Sequence, residues 1–167
     1  MDSKKLISEL EFETISTGKL LDRIPKDKLT WKPHPTAMSL AELAYHVANV
    51  PGIFSSFADE GKTNVEVMVY HHIPDSKKEI IESFPKSMAK AKQVFESATE
   101  SWGKTNWELI KDGKSIFAMP RFLMCRLLVL NHWYHHRGEL ITYLRMLGIP
   151  IPSVYGPSGD ENPFDQA

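Results

Sequence analysis

Residues 119–147 read MPRFLMCRLLVLNHWYHHRGELITYLRML, the longest uninterrupted helical pattern in the chain. Pro120 stands where a first helical turn tolerates it, and Gly148 follows as a stop, with Pro150 and Pro152 just beyond. Stepping at ~100° per residue, Cys125, Leu128, Val129, His132, His136, Glu139, Tyr143 and Leu147 fall on one side. Most of that side is apolar, so it is expected to face a core. His132 and His136 are four apart and stack one turn from each other, which is how a helix presents two imidazoles to one metal ion. The residue after His132 is Trp133, so the HExxH motif that shares this spacing is absent. His135 lies off to one edge. The plainer alternative is that these histidines are satisfied core or surface residues.

The remaining chain supplies three more helical patterns. Residues 39–60 open with Ser39 and Glu42, an S-x-x-E capping box. Leu40, Leu43, His46, Val47, Val50, Ile53, Phe54 and Phe57 form the core stripe, with His46 at its centre. A buried neutral histidine is costly without a partner, so His46 needs a hydrogen bond or a metal. Pro51 is expected to bend this helix, and Gly61 to end it. Residues 2–24 place Leu6, Ile7, Leu10, Thr14, Thr17, Leu21 and Ile24 on one face. Thr14 and Thr17 either back-bond to the helix or line a polar cavity at mid-height. Residues 76–101 carry Ile80, Ile81, Phe84, Met88, Ala91, Val94, Phe95 and Ala98 on one stripe and read as packing.

The patterns are joined by long connections. Residues 25–38 hold Pro25, Pro33 and Pro35, so the first and second helices need not be adjacent neighbours. Residues 62–75 are expected to be irregular; His71 and His72 are adjacent, point apart, and suit a surface or interface role. Residues 102–118, with Trp102 and Trp107, form a further connection that leaves room for a homodimer contact. In the tail, Val154 and Tyr155 are expected to anchor onto the bundle. One domain over residues 1–159 and a disordered tail over 160–167 are expected.

Composition narrows the class. An apolar fraction of 42% and a charged fraction of 25% are ordinary for a soluble globular protein. A net charge of -1 gives no basic footprint for nucleic acid. One cysteine, Cys125, rules out an intrachain disulfide and suits a reducing cytoplasm. The start, MDSKKLISELEFE, lacks a signal peptide's apolar core, and no window holds the ~18 apolar residues of a membrane span. The expected architecture is therefore all-α, a four-helix bundle with long connections.

In such a bundle His46 of the second helix meets His132 and His136 of the fourth. Three neutral imidazoles with open positions are the layout of a catalytic metal site, because structural zinc usually closes its shell with cysteines. The ligands alone do not choose between zinc, nickel, copper and iron. Glu139 is a fourth ligand, an acceptor for an imidazole N–H, or a base.

The run NHWYHHRGELITYLRMLGIPIPSVYGPS, residues 131–158, resembles the C-terminal signature of the DinB-like metalloprotein superfamily, with its HxxxHRG core and trailing GIPxPxxYGPS. SLAELAYHVANV, residues 39–50, is similar to that superfamily's second-helix motif with its single metal histidine. The resemblance implies a four-helix bundle with a non-simple connection order, often dimeric, holding zinc or nickel on His46, His132 and His136. It also implies kinship with thiol S-transferases that use bacillithiol, mycothiol or glutathione, and with mycothiol-dependent maleylpyruvate isomerases. Where those relatives usually have HHRGQ, this chain has Glu139.

A divalent ion held by three neutral histidines lowers the pKa of a bound water or thiol to about 7. The expected activity is therefore thiol transfer. A low-molecular-weight thiol attacks a small electrophilic substrate, Glu139 takes or shuttles a proton, and Thr14, Thr17 and Tyr143 line the pocket. A metal-dependent hydrolase needs the same residues. A non-catalytic metal-binding or stress-response interaction protein, and a metal-free bundle with buried histidines, are the other two alternatives.

Overall fold

The structure, a computed structural model, describes residues 3–165. Four long helical segments build it: α1 (Ser3–Asp22), α2 (Leu40–Glu60), α4 (Lys77–Ser97) and the pair α6 (Arg121–Met124) and α7 (His132–Met146), joined by a π-helical stretch, Cys125–Asn131. Two short helices, α3 (Val65–Met68) and α5 (Glu100–Lys104), sit in the connections. The capping box opens α2 in full: Glu42 N–H donates to Ser39 Oγ at 3.2 Å, and Ser39 N–H donates to Glu42 Oε2 at 2.7 Å. Gly61 closes α2 at φ 77°, a left-handed conformation that glycine adopts without a Cβ penalty.

The expected four-helix bundle is the architecture found. α2 packs along α4 and α7, and α1 packs along α4. The proline-bearing first connection thus carries the chain across the bundle. Leu6, Leu10, Leu20 and Leu21 of α1 meet Leu43, Val47 and Val50 of α2, Ile80 and Phe95 of α4, and Leu140 and Leu144 of α7 in one core. A Cβ at Gly52 would stand 2.8 Å from the Ser87 Cα, so a glycine there lets the α2 and α4 backbones approach. Among the described residues no helix is long and apolar enough to cross a membrane.

Two features depart from expectation. The connections over residues 62–75, expected to be irregular, and 102–118 contribute a three-stranded sheet in the order β1 (Lys62–Asn64), β2 (Asn106–Lys111), β3 (Lys114–Pro120). β1 runs parallel to β2, and β2 antiparallel to β3. Asp112 and Gly113, at φ 50° and 74°, make the tight turn between β2 and β3. Trp107 is buried on this sheet, its indole N–H donating to Thr63 Oγ1 at 3.1 Å.

The second departure concerns the defining helix. Its core stripe does not run through His132 and His136. It passes from Cys125 and Val129 to Trp133, Arg137, Leu140 and Leu144, all buried. The wider π turns absorb one extra residue, so the stripe slips by one position on entering α7. The histidine pair moves to the half-buried flank that meets α2, and Arg137 enters the core.

Within the tail expected over residues 160–167, Asp160 and Glu161 have partners. Asp160 accepts from the Ile151 N–H at 2.9 Å and pairs with Arg145 at 2.6 Å. Glu161 accepts from the Ser153 N–H at 3.2 Å and pairs with Arg23. Each carboxylate thus has a backbone donor and a cation to hold it. Gln166 and Ala167, the end of that expected tail, lie outside the described residues.

Candidate metal centre

α2 and α7 are locked together beside the histidines. Pro51 has no N–H, so the Val47 carbonyl lacks its helical donor four residues on. The Trp133 indole N–H takes that place, donating to Val47 O at 2.8 Å. Pro51 therefore leaves a carbonyl free for α7 to hold. His46 precedes Val47 and His132 precedes Trp133, so this one bond fixes the height at which the two imidazoles face each other.

The three rings converge. His136 Nε2 lies 2.8 Å from His132 Nε2, and His46 Nε2 lies 3.4 Å from His132 Nε2. One ligand atom from each of His46, His132 and His136 lies within 4.8 Å of the others. Phe54 stands edge-on to His132 at 4.9 Å and closes one flank. Burial, then His136, His132 and His71, lower His46 to about 3. Burial, then His136, lower His132 to about 4, against a weaker opposing effect of the Leu128 carbonyl. Burial also lowers His136, with Glu139 opposing it. At neutral pH all three offer lone pairs.

This donor set fits a divalent ion. Zinc–imidazole bonds of about 2.0–2.1 Å in a tetrahedral shell place the nitrogens roughly 3.3 Å apart. The His46–His132 spacing already matches, and the His132–His136 spacing needs to open by about half an ångström. Three Nε2 atoms this close cannot all satisfy one another, since a neutral imidazole nitrogen is either donor or acceptor.

Glu139 stands behind the triad. Its Oε2 lies 2.6 Å from His136 Nδ1, and its Oε1 lies 3.3 Å from His135 Nε2. A carboxylate only accepts, so His136 carries its proton on Nδ1 and turns a bare Nε2 toward the other two rings. Of its three expected roles, this geometry matches the acceptor of an imidazole N–H. His135, His136 and Glu139 also form a possible ligand group, but His135 is exposed and the shared His136 turns its Nδ1 there.

Thr14, Thr17 and Tyr143 are not among the residues that line the space beside His46. Thr14 Oγ1 donates to the Leu10 carbonyl at 2.7 Å, the back-bonding alternative. Thr17 is buried and accepts from Arg137 at 3.0 Å. Tyr143 donates to the Met38 carbonyl at 3.3 Å and stacks edge-on with Trp31. The space that opens beside His46, about 320 Å³, is lined instead by Tyr45, Asn49, Tyr70 and His71 among others. His71, expected to serve a surface or interface role, thus stands next to the centre, and sequence spacing gave no signal of it.

Low histidine pKa values make the metal-free fold sensitive to acid. An unfolded histidine takes up its proton near pH 6.5, while folded His46 and His132 resist until about 3 and 4. Between those limits the unfolded chain binds more protons, so stability falls as the pH falls. The melting temperature of metal-free protein is expected to drop from pH 7 to pH 4, and to drop less in His46→Gln. Equal slopes in the two proteins would contradict the assignment.

Known proteins place this geometry in context. The uncharacterized protein YrdA of Bacillus subtilis (strain 168) is 26% identical over 155 residues, covering 90% of this chain and 86% of its own length. A DinB-like protein from Bacillus cereus ATCC 10987 superposes with a TM-score of 0.70 at 23% identity, covering 91% and 97% of the two chains. The DinB-like protein YjoA of Bacillus subtilis superposes with a TM-score of 0.68 at 21% identity, covering 90% and 96%. These likenesses establish the fold. Residues 1–163 match the model of the DinB family, and with the bundle and its three-histidine group in place, the chain belongs to that family.

Proposed function

We propose that this chain is a metal-dependent enzyme of the thiol S-transferase type, acting on a small electrophile with a low-molecular-weight thiol as co-substrate. The observation that carries this is the convergence of three neutral imidazole Nε2 atoms, one of them on His46, which also lines an open pocket of about 320 Å³. His46, His132 and His136 would hold zinc or nickel, and a bound ion supplies Lewis acidity toward a thiol or water. Glu139 keeps the proton on His136 Nδ1, so that Nε2 stays free. Tyr45, Asn49 and Tyr70 give the pocket polar and aromatic walls for a small molecule. The chain brings no thiolate of its own: burial pushes the Cys125 thiol up to about 12, so the nucleophile comes from a second substrate.

The test is thiol conjugation by untagged protein, wild type beside His132→Ala. Wild type is expected to carry about one metal per chain and to accelerate conjugation; the variant should do neither. Equal rates in the two would sink the transferase. Esters and amides in the same assay separate it from a metal-dependent hydrolase. Metal without turnover of any substrate class would leave the ion a non-catalytic role, pinning α2 to α7.

A further inference from the structure

Between α3 and α4 the chain is irregular, and its histidine pair is divided. His72 faces α4: its Nε2 lies 2.6 Å from Glu79 Oε1, and its ring packs on Tyr45 at 4.6 Å. The Asp75 N–H donates to the other Glu79 oxygen at 2.9 Å, pinning the segment on both sides of Ile73 and Pro74. Neighbouring side chains in an extended chain point apart. With His72 held outward, His71 is turned toward the triad.

Its ring lies 5.1 Å from that of His46, at 66° between planes. The His46–His132 pair has the same 5.1 Å separation, at 70°. His71 thus stands from His46 as one ligand ring stands from another. Unlike the triad it is exposed, and among the described residues it makes no hydrogen bond. Its nitrogens stand outside the group that lies within 4.8 Å, so ligation needs rotation of a side chain whose one ring contact is with His46 and which makes no hydrogen bond among the described residues.

We propose that His71 is a fourth, displaceable ligand of the metal centre. The inference rests on the metal reading above. At rest four imidazoles hold the ion and keep the open position from stray ligands. A substrate group takes the position when His71 leaves, and the irregular segment lets it leave without disturbing α2 or α7.

Cobalt(II) tests this on the full chain, because its visible absorption reports coordination number and ligand type independently of turnover. Wild type is expected to give a four-coordinate spectrum at one equivalent. In His71→Ala the band should weaken several-fold, and cobalt affinity by chelator competition should fall about tenfold or more. Added imidazole should restore the band. 2-Mercaptoethanol, binding as thiolate with its proton passing to the buffer, should bind several-fold more tightly to His71→Ala, where no internal ligand competes. His135→Ala, which removes an exposed histidine of the same cluster, should match wild type. Identical spectra and affinities in wild type and His71→Ala would overturn the fourth ligand and leave the triad standing. Wild type that takes up no cobalt would overturn both.

Discussion

Replacing Arg137 by methionine is expected to destabilise the fold by about 3–5 kcal/mol. Its side chain is 2% exposed and that of Glu13 is 7%, and the two pair at 2.6 Å. Thr17 Oγ1 and Ser16 Oγ accept from the same guanidinium at 3.0 and 3.1 Å, and the Tyr155 hydroxyl accepts from its other terminal nitrogen. Tyr155 in turn donates to Glu13 at 3.0 Å, and the rings of Tyr134 and Tyr155 lie 5.2 Å from the guanidinium carbon. Methionine keeps the length of the stem and removes every donor, so Glu13 remains buried with one hydroxyl for company. The penalty comes from that stranded carboxylate more than from the lost attraction. For a domain of this size the melting temperature should fall by roughly 6–20 °C. Replacing Glu13 by leucine as well should recover much of the loss, since no buried charge remains. Arg137→Met melting within about 2 °C of wild type, or a double variant no better than the single one, would show that the pair does not hold α1 to α7.

Arg137 also shows where sequence periodicity fails. A stripe drawn at one fixed angle per residue from Cys125 puts His132 in the core and Arg137 outside it. The π turns change that angle for seven residues, Cys125–Asn131, and everything downstream is rephased. The three histidines still converge, because His132 and His136 remain four apart within regular α7, whatever face they occupy. Ser39 and Glu42 were legible because a capping box is local chemistry. The sheet is legible in part: Asp112-Gly113 between NWELIK and KSIFAMP is a hairpin signal. β1 carried no such signal, since a three-residue strand pairs only because the bundle brings Thr63 beside Leu109. His71 was illegible for the same reason. Its place at the centre depends on Glu79 holding His72, a contact across seven residues that no period describes. Thr14 and Thr17 face the helix backbone and Arg137 because α1 meets α7 through the Arg137 cluster, on a different side from the imidazoles.

Replacing Trp133 by alanine should cost about 3–5 kcal/mol and weaken the metal centre together with the fold. Trp133 is fully buried, so alanine leaves a void that the helices around it close only in part. It also strands the Val47 carbonyl, which Pro51 cannot satisfy. Trp133→Phe separates the two effects. Phenylalanine fills most of the space and lacks the N–H, so it should cost about 1–3 kcal/mol, the price of one buried carbonyl left unpaired. Metal affinity should behave otherwise. If the Trp133–Val47 bond sets the height of His46 against His132, both variants should lose roughly 10–100-fold in affinity, although their stabilities differ. Affinity that tracks stability across the pair would mean that packing alone aligns the rings. Affinity lost equally in both would assign the alignment to one hydrogen bond, made possible by a proline in the helix that carries His46.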